Sequence, residues 1–417
     1  MLNVDVESDD LQAHREQAQS MPLSHFNMAR SGYYLNNTYG PYFERLRKDA
    51  PVHYCAESRY GPYWSVTRFD DIKFVDSQHQ LFSSEPFIGI DDQDPDFDLP
   101  MFIAMDPPKH DEQRKTVNRS VSPRNLQKLE GLIRSRVQKI LDELPLGETI
   151  DWVPRVSVEL TTQMLATLFD FPFEERAKLT RWSNVASSGP GGDFVSSRQE
   201  RRAELEECLA YFTELWNARA AGKPGNDLVS MLAHGEATRN MSPNEFLGNL
   251  VLLIVGGNDT TRNSISGGVL AMHQFPDQWQ QLQDNPQLVS NMVAETIRWQ
   301  TPLTHMRRVA TEDVALGGQT IRQGDKVVMW YLSGNRDETQ FSEPDKLQVD
   351  RPNARQHVSF GYGIHRCMGN RLAELQLKIL WQELIGRFSR IEVVAEPKRI
   401  RSNLLRGYAS LPVVVHA

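Results

Sequence analysis

Two hydrophobic periods run through this chain, and each stretch of constant period predicts an element. Phe43-Glu44-Arg45-Leu46-Arg47 has the spacing of a short helix, and the helical pattern returns from Phe69 to Val75. Between them, Val52-His53-Tyr54 and Tyr63-Trp64-Ser65-Val66 read as paired strands, with Tyr60-Gly61-Pro62 as turn material. Ser83 to Pro108 is interrupted by prolines and has no clear period, as functional loops commonly do. A helix is predicted to start after Pro107-Pro108, and helical spacing dominates from Asn125 to about Ala233. Breaks are expected at Pro145, Pro154, Pro172 and Gly189-Pro190-Gly191-Gly192, the last suiting a mobile cover. The longest run begins at Ser242-Pro243-Asn244-Glu245, with Ser at the N-cap, Pro in the first turn and Glu at the third position. With Pro276 as the stop, it predicts about 30 residues of helix, roughly 45 Å long. Ile391 to Val415 reads β-rich, with a turn at Asn403-Leu404-Leu405. The expected class is therefore mainly α with small β-sheets.

At 417 residues the chain is long for one core and short for three domains. A polar N-terminal arm over residues 1–32 is expected to be loosely attached, and no boundary or repeat divides 33–417. The balance of 40% hydrophobic and 24% charged residues is that of an ordinary globular enzyme. A net charge of −8 argues against nucleic acid or anionic membranes as partners. Cys55, Cys208 and Cys367 are odd in number and far apart, so no disulfide framework is implied and a reducing cytoplasm fits best. The acidic first residues do not form a signal peptide, and no run approaches the roughly 18 apolar residues of a membrane anchor. The expectation is a cytoplasmic protein.

The chemistry concentrates in three places. Phe360-Gly361-Tyr362-Gly363-Ile364-His365-Arg366-Cys367-Met368-Gly369 is a glycine-rich loop that delivers one cysteine to the start of an amphipathic helix. A sulfur there meets unpaired N–H groups and the positive end of the dipole, which favour thiolate, the metal-binding form. Gly256-Gly257-Asn258-Asp259-Thr260-Thr261 interrupts the long apolar helix, where each interior glycine costs about 1 kcal/mol, so a bulge or widening is expected. Glu295 and Arg298 stand three apart on a helix, with Arg351 downstream. The alternating Asp91, Asp92, Asp94, Asp96 and Asp98 lack the Gly and closing Glu of a calcium loop and read as solvated.

The F-x-x-G-x-H-x-C-x-G loop, the G-G-x-D-T-T run and the E-x-x-R pair resemble the cytochrome P-450 family over nearly the whole chain. The resemblance implies a single cytochrome P-450 fold with a long central helix over haem b, and Cys367 as the iron ligand. It places Phe360 against the sulfur side and Gly369 at the helix start, and it leaves room for dioxygen at Gly256. His110, Arg114, His365 and Arg308 would hold the propionates, although Arg307 competes with Arg308 for that role. Asp259 and Thr260 would be the acid–alcohol pair that conducts protons, and Glu295, Arg298 and Arg351 a structural triad. The 83–108 loop would be the lid, and the Asn403 turn would dip into the pocket.

The implied activity is hydroxylation of unactivated C–H bonds with O2. No flavin or nicotinamide fingerprint is present, so the resemblance implies electrons from a 2Fe-2S ferredoxin and its NADH-dependent reductase. Arg355, Arg366, Arg371, Lys378 and Arg387 outnumber Glu374 and Glu383 around the cysteine loop, where an acidic ferredoxin would dock. The motifs look closest to the bacterial alkane and fatty-acid terminal-hydroxylase branch. The apolar pocket candidates are Phe97, Leu99, Phe102, Leu252, Val255, Leu303, Met306 and Leu404. Terminal hydroxylation of a medium-chain alkane is the leading expectation. A fatty-acid omega-hydroxylase, a terpene hydroxylase and a haem sensor that performs no oxidation are the alternatives.

Overall fold

The computed structural model describes residues 10–188 and 194–417. Pro243–Gln274 forms one unbroken helix of 32 residues, started by the Ser242 hydroxyl accepting the Glu245 N–H. Glu245 does not fold back on the cap. Its carboxylate pairs instead with Lys109 at 2.9 Å and accepts from Gln113 at 2.7 Å, which ties the central helix to the Lys109–Val117 helix. The two main apolar cores sit on different halves of this axis. Leu247, Leu250, Val251 and Ile254 pack with Phe169, Trp182, Leu205 and Phe212, whereas Ile265, Val269 and Leu270 pack with Trp152, Met164, Leu380 and Trp381. The expected class, mainly helical with small sheets, is what forms.

The expected pairing of Val52–Cys55 with Tyr63–Val66 is antiparallel, and these strands open a five-stranded sheet. Lys326–Met329, Met306–Ala310 and Phe82–Ser83 complete it in that order. In the register Arg307 stands opposite Val328 and Arg308 opposite Val327, so the two arginines project to opposite faces.

Four expectations are corrected. From residue 10 onward the arm is packed, not loose: Leu11–Ser20 is a helix, and Ala18, Phe26, Met28 and Ala29 are buried with Tyr42 and Trp330. Pro154 does not break the chain, because it sits at the start of a π-turn, Val153–Val158, that runs straight into the Glu159–Phe169 helix. Thr149–Asp151 is a strand that pairs with the chain's end, Pro412–His416. The bulge at Gly256-Gly257 is absent; the helix continues, with the Thr260 hydroxyl donating to the Gly256 carbonyl at 3.2 Å. The glycine-rich break at 189–192 lies outside the described residues.

Candidate functional site

The cysteine loop is built on two left-handed glycines. Gly361 has φ +65° and Gly363 φ +66°, and a Cβ on Gly363 would lie 2.5 Å from the Asp76 carbonyl oxygen. The turn returns Cys367 so that its N–H donates to the Phe360 carbonyl at 2.8 Å, and Gly369 caps the Asn370–Arg387 helix. Asp76 fastens the loop from outside. One carboxylate oxygen accepts the Tyr362 N–H at 2.7 Å and the Tyr331 hydroxyl at 2.9 Å, and the other accepts Arg308 at 2.7 Å. Sequence reasoning missed this residue. The signal was an aspartate on the apolar face of a helix, in line with Phe69 and Ile72.

Around the cysteine the structure gathers His110, Arg114, Arg308 and His365. The His110 and His365 rings lie 4.2 Å apart, and Arg114 donates to the Arg366 carbonyl. Both imidazoles are buried, with His110 Nε2 and both His365 nitrogens lacking any partner. Burial pushes the His110 and His365 pKa values below the ordinary imidazole range, and Arg308 pushes His365 down further. Arg307, the rival of Arg308, faces the other way and holds the lid, donating to Asp92 at 2.6 Å and to the Asp91 carbonyl at 3.1 Å.

Cys367 is accessible and stands near the charges of Arg114 and Arg366. Burial pushes the thiol pKa up, while the N–H groups of Gly369 and Asn370 and the charges of Arg114 and Arg366 pull it down. The helix-start effect is present but is outweighed in the protein alone, so a metal binding there must displace a proton.

Across the central helix, Leu252, Val255, Gly256 and Thr260, with Gly257 beside them, form an accessible stripe whose neighbours from Phe246 to Met272 are buried. That stripe borders an open chamber. A Cβ built on Gly256 meets nothing within 4 Å, whereas one on Gly257 would lie 2.7 Å from Leu165, so the first glycine faces space and the second a packed helix. Asp259 points away from the stripe. It is fully buried, pairs with Arg262 at 2.7 Å, and leaves Oδ2 unpartnered. Burial raises its pKa and Arg262 lowers it. Arg262 in turn donates to Asn184 at 2.8 Å.

Leu303 and Met306 are half-buried against the core of the five-stranded sheet, and Leu404 is half-buried with its carbonyl accepting the Thr304 N–H. Met368, next to the cysteine, packs against both main cores. Phe97, Leu99 and Phe102 are buried and belong to the cluster against which Leu252 and Val255 pack. Behind the cysteine loop, Glu295 accepts Arg298 through two bonds of 2.7 Å and Arg351 at 2.9 Å, all three side chains fully buried.

Residues 157–407 match the family model described as cytochrome P450. Linalool 8-monooxygenase of Pseudomonas putida is 39% identical over 385 residues, covering 89% of this chain and 94% of that protein. The chain belongs to the cytochrome P450 family. A solved structure, cytochrome P450-153 from Novosphingobium aromaticivorans, is 47% identical, with a TM-score of 0.87 over 94% of this chain and 99% of that one. The methyl-branched lipid omega-hydroxylase of Mycobacterium tuberculosis is 30% identical over 388 residues, covering 89% of this chain and 90% of that protein. The protein is thus a cytochrome P450 monooxygenase, with haem b as its cofactor. Its residues fit that group: unpartnered imidazole nitrogens beside Arg114 and Arg308 are what two propionates require, and the accessible thiol of Cys367 stands near Arg114. No helix among the described residues is long and apolar enough to cross a membrane.

Proposed function

We propose that this P450 hydroxylates the terminal methyl of medium-length linear apolar chains, alkanes first. The observation that carries the reading is the accessible stripe of Leu252, Val255, Gly256 and Thr260, on which the hydroxyl of Thr260 is the one polar side-chain group. Cys367 supplies the iron ligand, and His110, Arg114, His365 and Arg308 hold the propionates. When bound, haem supplies dioxygen activation, with the thiolate favouring O–O cleavage. Thr260 and Asp259 move protons toward the chamber, Thr260 from the accessible stripe and Asp259 from behind it, where Arg262 pairs with its carboxylate.

An apolar wall gains about 0.8 kcal/mol per CH₂, so eight carbons bring roughly 6 kcal/mol before association costs. Greasiness cannot choose the chain end, because internal C–H bonds are weaker. Each tenfold preference for the terminal carbon needs about 1.4 kcal/mol of orientation between transition states. Leu303, Met306 and Leu404, each half-buried, are our candidates for narrowing the approach. Electrons come from a separate 2Fe-2S ferredoxin and its NADH-dependent reductase, in the cytoplasm.

A second reading, hydroxylation of a terpene, is favoured by the likeness to linalool 8-monooxygenase. Turnover of octane and of linalool with a supplied ferredoxin system separates the two. The proposal requires 1-octanol as the main octane product; a mixture of 2-, 3- and 4-octanols overturns it.

A further inference from the structure

The loop over the chamber is not held evenly along its length. Toward its start, Ile88 to Asp92 are fixed to the sheet. The Ile88 carbonyl accepts the Arg307 N–H at 2.8 Å, and the Ile90 carbonyl accepts Lys326 Nζ at 3.1 Å. Asp92 accepts the guanidinium of Arg307, a side chain only 3% exposed. Toward its end, Leu99 to Phe102 are fixed to the central helix. The Pro100 carbonyl rests on Gly248, where a Cβ would approach it to 2.2 Å, and the Phe102 N–H donates to Asn249 at 3.0 Å. Gln93 joins the two bases by accepting the Leu99 N–H at 2.9 Å.

Between these anchors hangs a short flap, residues 93–98, whose one buried side chain is Phe97. The Asn244 side chain ties the end of the flap to the central helix, donating to the Asp98 carbonyl at 3.0 Å, and Arg202 of the Arg198–Ala220 helix holds the flap at Asp96 and Phe97. Its Nε donates to Glu206 at 2.8 Å, which sets the plane of the guanidinium. Its Nη1 reaches the Asp96 carbonyl at 3.5 Å, and its Cζ lies 5.0 Å from the centre of the Phe97 ring. Arg198 adds only a loose pair with Asp94, at 3.9 Å. Phe97 packs in the same cluster as Leu252 and Val255 of the chamber wall.

We propose that Arg202 is a positioning residue for this enzyme's ligands: by pinning Phe97 it holds the 93–98 flap shut, and the flap opens to admit them. The inference rests on the haem chamber and not on which substrate fills it. A half-exposed guanidinium over an aromatic ring is a weak contact, suited to a catch that must release. The anchors at either side use a buried cation and tight backbone packing, which suit fixed points.

The test is stopped-flow binding of 4-phenylimidazole and of imidazole to the haem-loaded enzyme, read from the Soret band. Arg202→Gln should raise both the association and the dissociation rate constants for 4-phenylimidazole about two- to fivefold. Its Kd should move by less than about twofold, because one opening step is shared by both directions. Arg202→Lys, which keeps a cation over the ring, should stay near the wild-type rates. In a Phe97→Leu background, Arg202→Gln should add nothing further. Imidazole, which needs little opening, should bind at unchanged rates in every variant. Unchanged 4-phenylimidazole rates in Arg202→Gln would overturn the proposal. So would equal acceleration of imidazole, or a full Arg202→Gln effect without the Phe97 ring.

Discussion

Asp259 and Thr260 are neighbours in sequence but face different surroundings, and that division decides what each substitution does. Thr260 stands on the accessible stripe, whereas Asp259 is sealed against Arg262 with one oxygen unpartnered. Asp259→Asn should leave haem binding intact and slow turnover by about 10²-fold or more, with oxygen diverted to peroxide. Thr260→Ala should divert oxygen in the same way with a smaller loss of rate; coupling measured as product formed per NADH consumed checks both. His305 supplies a pH prediction. It is fully buried against Trp330, and burial lowers its pKa to about 4. A histidine depressed in the folded state is neutral there while the unfolded chain takes up a proton, so stability falls as pH drops from the ordinary value of about 6.5 toward 4. Between pH 7.5 and 5 this one group should cost about 2 kcal/mol. Urea unfolding of His305→Asn should lose less over that range, by about the same amount. At this scale the glycine-bounded cysteine loop, the polar run at Asp259 and Thr260 and the Glu295–Arg298 pair were legible, because each is spelled out within a few consecutive residues. The choice between Arg307 and Arg308 was not, since it turns on which face of a strand each side chain takes.

The elements that sequence predicted best are those whose boundaries are local chemistry. Ser242 and Pro243 start the central helix and the next proline ends it, so about 30 residues were expected and 32 form. The Thr149–Asp151 strand escaped because its partner lies at the far end of the chain, and three residues carry no readable period. The N-terminal arm misled for a related reason. Its few apolar residues, Ala18, Phe26 and Met28, are scattered among polar ones, yet tertiary packing buries them. The Glu295 triad shows what one buried acid does for the elements around it. Arg298 also donates to the carbonyls of Asn335, Pro344 and Lys346, and Arg351 to those of Ser342 and Lys346. The triad thereby fixes the segment that leads into the cysteine loop. Glu295→Ala would leave two buried guanidiniums facing each other without an anion. Stability should fall by about 3–5 kcal/mol, measured by urea unfolding, and haem content after expression should fall with it.

Across the whole molecule, a net charge of −8 is interrupted on the side of the cysteine loop. Two of the expected cations there are partly neutralised: Arg355 lies 3.8 Å from Glu374, and Arg387 pairs with Glu383 and Asp142. Arg366, Arg371 and Lys378 remain exposed. An acidic ferredoxin should therefore be steered chiefly by those three. Arg366→Glu or Lys378→Glu should each slow its association about threefold at low salt, and much less near 1 M, where screening shortens to about 3 Å. The Asp76 anchor and the left-handed Gly361 and Gly363 fix the loop that carries Cys367, and the central proposal is that this sulfur binds haem iron. The reduced enzyme with carbon monoxide tests that directly. Wild type should show the strongly red-shifted Soret band that a thiolate opposite the carbon monoxide produces, and haem-loaded Cys367→Ala should lack it. A Cys367→Ala protein that retained the red-shifted band would contradict the account.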